Sequence, residues 1–193
     1  MKQWWCIILL IISFPLKADN IFVEAESFDC KGGWALDNQS MSQMGSPYLL
    51  AHGLGIPVEN ASTVIRVENG GKYRVWVRTR DWVKQWGQTG SPGRFELLLN
   101  GKALGVTFGT ERAEWHWQDG GTIGLKTGEN RIELRDLTGF DGRCDAIFFT
   151  SDLEMLPPEG KDDLADFRRK MLGLPVNQED AGEFDLVVVG GGI

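Results

Sequence analysis

The chain has 193 residues, of which 42% are hydrophobic, and its formal net charge is −7. This acidic balance argues against DNA, RNA and anionic lipid as partners, because binding to phosphate requires clustered Lys and Arg. The 25 glycines indicate many tight turns, and helix-period patterning is scarce outside one short segment near the end.

Residues 1–18 have the features of a secretory signal peptide. Lys2 precedes an apolar run over residues 4–12, and the small residue Ala18 precedes a polar stretch. The run is too short to span a bilayer, so no stable membrane insertion is expected, with a short membrane anchor as the alternative. Cleavage after Ala18 predicts an exported protein, periplasmic or secreted. Its charge becomes −9, because Lys2 and Lys17 are removed together with no acidic residue.

Residues 19–152 carry short runs of alternating apolar residues, separated by Gly, Asn, Asp and Pro. Tyr73, Val75 and Val77 share one face, and Asn100-Gly101 is typical of a two-residue hairpin turn. We predict about nine strands, at 21–27, 63–68, 73–80, 94–99, 102–108, 114–118, 122–125, 131–137 and 144–150. Because a half-buried sheet needs a second sheet to cover its apolar face, the pattern predicts an all-β accessory domain, a jelly-roll β-sandwich. A flattened β-barrel gives the same pattern.

Residues 153–183 are predicted to form a linker with a short helix. Its apolar stripe is Leu164, Phe167, Met171 and Leu172, and Gly173 ends it. We expect the helix to pack on the sandwich or on whatever follows, since one amphipathic helix cannot form a domain alone.

Residues 184–193 resemble the beginning of a dinucleotide-binding domain. A β-branched apolar run suits a strand that is buried on both faces of a parallel sheet. Gly190, Gly191 and Gly192 follow it, and Gly190 and Gly192 match the first two glycines of the G-x-G-x-x-G fingerprint. We therefore predict the first strand of a truncated α/β FAD-binding domain, with a last sandwich strand ending in glycines as the alternative. The chain itself is not expected to bind FAD, because the rest of the motif lies beyond Ile193.

Six stretches together resemble the N-terminal region of exported bacterial FAD-dependent oxidoreductases, some of which carry a xanthan-lyase label. The resemblance covers nearly the whole chain after the signal peptide, and its stretches are 32–61, 71–83, 92–102, 114–121, 136–150 and 184–193. It implies a galactose-binding-like β-sandwich ahead of a glutathione-reductase-like FAD domain.

A divalent-cation site is predicted from three carboxylates. The sequence Glu24-Ala25-Glu26 is similar to the opening of calcium-holding carbohydrate-binding modules, and Asp145 corresponds to the late-strand Asp that completes the site in those modules. Calcium is held by several oxygen ligands, which these acids and backbone carbonyls could supply. The site requires strand 21–27 to lie beside strand 144–150. The alternative is that the three acids lie on a solvated strand face.

Tryptophans and cysteines supply the remaining candidates. Trp82 and Trp86 lie in a Gly- and Gln-rich stretch between strands, and Trp34 follows Gly32-Gly33, so these three are candidates to stack on sugar rings. For each of them, packing in the core is the alternative. Cys30 and Cys144 form a possible disulfide in an oxidising compartment, or they are two separate thiols.

Two main functions follow from these features. The first is a non-catalytic accessory domain of a secreted FAD-dependent oxidoreductase, whose partner is its own downstream flavin domain. The alternative is a glycan-binding module, with a polysaccharide as partner, on a polysaccharide lyase or a related carbohydrate-active enzyme. No acid/base pair is predicted in the sandwich, so no catalytic residues are assigned, and His52 and His116 are interpreted as structural.

Overall fold

The computed structural model describes residues 18–175 and 182–186. These ranges contain eleven strands, two α-helices and two short 3-10 helices, at Ala25–Ser27 and Lys84–Trp86. The strands are β1 (Asn20–Glu24), β2 (Ala35–Asp37), β3 (Tyr48–His52), β4 (Ala61–Val67), β5 (Gly71–Thr79), β6 (Phe95–Leu99), β7 (Lys102–Phe108), β8 (His116–Leu125), β9 (Gly128–Asp136), β10 (Phe140–Cys144) and β11 (Ala146–Thr150). The helices are α1 (Met41–Met44) and α2 (Lys161–Met171).

The strands form three antiparallel sheets with the orders β1-β11-β5-β8, β10-β3-β2 and β4-β9-β6-β7. The first and last strands pair, with Glu24 opposite Ala146, which confirms the predicted neighbourhood of 21–27 and 144–150. The hairpin at Asn100-Gly101 is also confirmed. Leu99 pairs with Lys102, and both turn residues have the positive φ that this turn requires.

One core lies between the sheets, and all three sheets contribute to it. Val75 and Val77 of β5, Leu134 of β9 and Leu49 of β3 pack in one cluster and have almost no exposed surface. The alternation of Tyr73, Val75 and Val77 therefore points into this core, as predicted. The all-β sandwich is confirmed.

A second apolar cluster lies on the outer face of the β1-β11-β5-β8 sheet. Trp76 and Phe148 point away from the core and meet Leu164 and Phe167 of α2. The ring of Phe167 lies 5.1 Å from that of Phe148, edge to face. Because α2 covers this face, β11 is buried along its whole length. The helix assigned to a linker thus packs on the sandwich.

The sequence did not predict three of the strands, and two strands that it predicted separately form one continuous strand. β2, β3 and β10 are short, and they form the three-stranded sheet with little polar alternation. The segments predicted at 114–118 and 122–125 belong to β8, which continues through a bulge opposite Val75 and Trp76. The boundaries of the predicted domains remain predictions.

Several predictions fall on residues outside the described ranges. Residues 1–17 of the predicted signal peptide are among them, and so are Gly190, Gly191 and Gly192. Phe184, Asp185 and Leu186 are described, and they are exposed and lie outside any strand. No helix within 18–175 or 182–186 is long and apolar enough to cross a membrane.

The predicted disulfide is not formed. Cys30 is exposed and its backbone forms an isolated β-bridge with Ser62 of β4. Cys144 is completely buried at the end of β10. Cys144 belongs to the sandwich core, and Cys30 lies on the surface. The alternative of two separate thiols describes the structure.

Candidate functional site

Glu24 and Asp145 are brought together, but an arginine guanidinium lies between them. Arg168 of α2 donates from Nε to Glu24 Oε1 at 3.0 Å and from Nη1 to Asp145 Oδ2 at 3.1 Å. Arg78 of β5 approaches Asp145 Oδ2 from another side, with its Nε at 3.2 Å. Two guanidinium groups therefore balance two carboxylates.

Backbone geometry fixes Asp145 at this position. It joins β10 to β11, its N–H donates to the carbonyl of Arg78, and its carbonyl accepts from the N–H of Ala25. Its side chain has no exposed surface. Burial raises the pKa of Asp145 to about 6, although Arg168 and Arg78 oppose the shift.

Glu26 lies beside this group without pairing with Arg168, and it is close enough for Glu24, Asp145 and Arg168 to influence its pKa. Strand β1 ends at Glu24, and the 3-10 helix that begins at Ala25 removes the alternation that was expected to place both glutamates on one face. The Oε2 atom of Glu26 is buried without a hydrogen-bond partner. Burial raises the pKa of Glu26 to about 7. Glu26 lines a cleft of about 580 Å³ between the sandwich and the end of α2.

A calcium ion does not fit this arrangement. Calcium needs six to eight oxygen ligands at roughly 2.3–2.6 Å, and Arg168 occupies the space between the two carboxylates. Among the described residues, no group of three His, Cys, Asp or Glu side chains could hold a metal ion. In the predicted set, Glu24 and Asp145 therefore form an ion-pair cluster with Arg168, and Glu26 lies beside it.

A different surface forms where three loops meet. These loops join β3 to β4, β5 to β6 and β9 to β10. We call it the loop surface and define it by its exposed or half-buried side chains, His52, Leu54, Ile56, Trp82, Trp86 and Phe140. Its large apolar side chains are unusually exposed, with 60% for Trp86 and 49% for Phe140.

The tryptophans of the loop surface meet edge to face. The ring centroids of Trp82 and Trp86 are 5.7 Å apart, at an interplanar angle of 81°. Trp82 Nε1 donates to the carbonyl of Phe140 at 3.1 Å, and the guanidinium of Arg143 lies 5.2 Å from the Trp82 ring. Trp82 is thereby held in place, and its neighbour Trp86 presents most of its ring to solvent.

Buried aspartates hold the backbone under this surface. Asp136 accepts from the N–H groups of Val58 and Gly139 through Oδ2, and of Thr138 through Oδ1, which ties two loops together. Asp81 accepts from Ser91 Oγ at 2.6 Å within the third loop. The loops are therefore fixed before any ligand arrives.

Close backbone contacts complete the support of the loop surface. Gly55 has a φ of +93°, and a Cβ there would lie 3.1 Å from the ring of Phe140. The N–H groups of Gly53 and Gly55 donate to the carbonyl of Gly139. A side chain at Gly55 is therefore excluded both by the backbone conformation and by the ring that covers it.

Polar groups flank the rings of the loop surface. His52 Nδ1 lies 2.5 Å from Asp141 Oδ1, and more than half of the His52 side chain is exposed. Sequence reasoning interpreted His52 as structural and missed Phe140 and Arg143. The signal was available in the stretch 139–143, where a glycine precedes an aromatic, an acidic and then a basic residue.

The third predicted stacking residue, Trp34, lies elsewhere. Its side chain is only 3% exposed and packs edge to face on Phe95 in the sandwich core. Gly32, with a φ of +55°, turns the chain so that Trp34 points inward. The prediction that Trp34 binds sugar is wrong, and packing is its role. Trp82 and Trp86 remain candidates.

Comparison with solved structures identifies the fold. A family 35 carbohydrate-binding module from Clostridium thermocellum matches with a TM-score of 0.54 and 15% identity, over 68% of this chain and 97% of that one. The GH26-CBM35 β-(1,4)-mannanase of Podospora anserina matches with a TM-score of 0.54 and 19% identity, over 72% of this chain and 29% of the enzyme. The C-terminal CBM6 of a marine laminarinase from Zobellia galactanivorans gives 0.52 and 19%, over 69% and 100%.

The chain therefore has the β-sandwich fold of carbohydrate-binding modules of the family 35 and family 6 type. No protein-family model matches the sequence, and no curated protein matches it either.

Proposed function

We propose that this chain is a glycan-binding module and that its loop surface stacks on the sugar rings of a polysaccharide. The observation that carries the proposal is the exposed ring of Trp86, set at 81° to Trp82 on loops that Asp81 and Asp136 hold in place. Large exposed apolar side chains grouped in one place on a folded surface mark an interaction site. Fold likeness to modules of carbohydrate-active enzymes supports the same function.

The chemistry of the loop surface suits a carbohydrate. The face of an indole ring is apolar and electron-rich, so it receives the C–H groups of a pyranose ring. Sugar hydroxyls need hydrogen-bonding partners, and His52, Asp141 and Arg143 lie beside the aromatic rings. Because Trp82 and Trp86 stand at right angles, they form a corner that contacts one sugar on its face and on its edge.

Binding to an array of plant, algal and bacterial polysaccharides, including mannan, xylan and laminarin, tests this function. We expect the chain to bind at least one polysaccharide and Trp86→Ala to weaken that binding by about tenfold or more, as loss of a central aromatic contact does. Leu156→Ala removes a similarly exposed apolar side chain outside the loop surface and should leave binding unchanged. Absence of binding across the array, or equal losses in both variants, would contradict the proposal.

We also propose a second candidate, in which the same sandwich is the accessory domain of an exported FAD-dependent oxidoreductase. The strand-like run 184–189 followed by three glycines favours it. The side chains of Phe184 and Leu186 are exposed and are available for contact with a following domain. In this candidate the partner of the sandwich is its own downstream flavin domain, FAD belongs to that domain, and the signal peptide directs export.

The coding sequence after Ile193 tests this second candidate. A third glycine at the required spacing, followed by a helix and an acidic residue about twenty positions on, supports it. A stop codon or another β-rich module there contradicts it. Incubation of the chain itself with FAD should leave no bound flavin absorbance, because residues 184–193 supply only the first two glycines of the fingerprint.

A further inference from the structure

We propose that Arg168 is a built-in cation, which gives Glu24 and Asp145 the positive charge of a divalent ion and makes the module independent of calcium. The proposal concerns the end of the sandwich covered by α2, and it does not depend on the function of the loop surface.

Arg168 satisfies all of its donors within this cluster. Nε and Nη2 both bond Glu24, Nη1 donates to the carbonyl of Met44 at 2.9 Å and to Asp145, and Nη2 also bonds Ser46 Oγ. A planar guanidinium with five N–H groups has met five acceptors, which is the geometric match that favours arginine over lysine. Ser46 Oγ in turn donates to Asp145 Oδ1 at 3.2 Å.

The cluster has little exposed surface, although Glu24 and Arg168 line the same cleft as Glu26. The exposed fractions of the side chains are 8% for Arg168, 11% for Glu24 and none for Asp145. An isolated carboxylate in such a place is strongly unfavourable, so Asp145 needs a permanent positive partner. Arg78 supplies one positive charge from β5 and Arg168 the other, and together they offset the charges of Glu24 and Asp145.

The position of Arg168 follows from the register of α2. Leu164 and Phe167 are buried against the outer face of the sheet. Arg168 lies on the same helix, four residues after Leu164 and directly after Phe167. Spacings of i, i+3 and i+4 place side chains on one face. The apolar contacts that seat the helix therefore also deliver the guanidinium to the two acids, so α2 is part of the module.

Thermal unfolding of the full chain, with calcium and with a chelator, tests the proposal. We expect the two melting temperatures to agree within about 1 °C, since mass action stabilises only a state that binds the ion. Arg168→Met keeps the aliphatic stem and removes the charge. It should lower the Tm by roughly 10 °C or more, because it leaves buried acids unpaired.

Arg169→Met is the matched control. Arg169 is adjacent on α2, is 37% exposed and pairs with Asp166 on the surface, so its loss should shift the Tm by about 1 °C or less. Equal shifts for the two variants would overturn the proposal, and so would a rise in the wild-type Tm with calcium. If Arg168→Met does not fold, calorimetric titration of the wild-type chain decides: no calcium heat supports the built-in cation, and stoichiometric binding overturns it.

Discussion

The ion-pair cluster under α2 and the loop surface differ in how much side-chain surface they expose to solvent. In the ion-pair cluster under α2, Arg168 and Arg78 satisfy Glu24 and Asp145 within the chain, and almost no side-chain surface remains. On the loop surface, the buried aspartates Asp81 and Asp136 support the backbone. The aromatic rings above them stay exposed.

This difference in exposure separates a site that stabilises the fold from a site that is available to a ligand. Buried charges that are paired inside the chain contribute to a defined fold and offer nothing to a ligand. Fixed loops that carry exposed aromatic rings have already lost their conformational freedom, so a ligand need not order them. We therefore propose a structural role for the first region and a recognition role for the second.

The largest expected effect is on the ion-pair cluster. Asp145→Ala removes the acceptor that Ser46 and both arginines share and leaves two buried guanidinium groups without it. It should lower the free energy of unfolding by about 3–5 kcal/mol, the range for a buried ion pair that loses one partner. Asp119→Ala removes a carboxylate that pairs with Arg74 and is 42% exposed, so it should cost about 1 kcal/mol or less. Urea unfolding of both variants measures the difference, and similar costs would remove the distinction between paired interior and surface.

The seating of α2 should have the next largest effect. Phe167→Ala should cost about 3 kcal/mol, because the ring packs against Phe22, Trp117 and Phe148. Leu172→Ala, at an exposed position just after the helix, should cost about 0.5 kcal/mol or less. If urea unfolding gives Phe167→Ala the smaller cost, α2 does not belong to the folded module.

Local patterns predicted the strands well because alternation is a property of neighbouring residues. Tyr73, Val75 and Val77 carry enough of it to place β5 in the core. The pairing of β1 with β11 followed from the resemblance, and the structure confirms it. The short strands β2 and β3 carry too little alternation to be recognised.

The candidate sites were harder to predict because they depend on contacts between distant residues. Glu26 does not share a strand face with Glu24, because β1 ends at Glu24 and a 3-10 helix begins at Ala25. Residue spacing alone does not predict this change of backbone conformation. Trp34 and Trp86 both lie next to glycines in sequence, yet Trp34 is 3% exposed and Trp86 is 60% exposed. Arg168 lies 144 positions after Glu24, so its role appears only when α2 is docked.

Glu26, whose buried Oε2 atom has no hydrogen-bond partner, should give a smaller effect that depends on pH. Its pKa rises from 4.5 to about 7 on folding, so between these values the folded state holds a proton that the unfolded state has released. The contribution of Glu26 to stability is therefore greatest below pH 4.5, falls as the pH rises, and levels off above pH 7. Asp145, with a pKa of about 6, contributes a fall of the same sign between pH 3.8 and 6.

Glu26→Gln should consequently stabilise the chain at pH 8 by about 1 kcal/mol. The full shift corresponds to about 3 kcal/mol, and partial solvent exposure of Glu26 reduces it. Glu129→Gln, at a largely exposed carboxylate, is the control and should change neither stability nor its pH dependence. Urea unfolding from pH 4.5 to 8 measures both slopes. A Glu26→Gln curve parallel to the wild type would show that Glu26 titrates normally.

The smallest expected effect on stability is at the loop surface. Trp86→Ala should change the free energy of unfolding by about 0.5 kcal/mol or less, because most of the ring is in contact with water. Trp34→Ala, in the core, should cost about 3 kcal/mol or more. Equal costs in urea unfolding would mean that Trp86 is a packing residue and not a binding residue.

Glycan binding measured with and without a chelator tests recognition by the loop surface and independence of calcium in one experiment. The polysaccharide that the wild-type chain binds best on the array should be titrated calorimetrically against wild type and Trp86→Ala, each in calcium and in EDTA. We expect Trp86→Ala to weaken binding by about tenfold or more in both conditions and EDTA to change neither affinity. Binding that survives Trp86→Ala would contradict recognition by the loop surface, and binding that disappears from the wild type in EDTA would contradict independence of calcium.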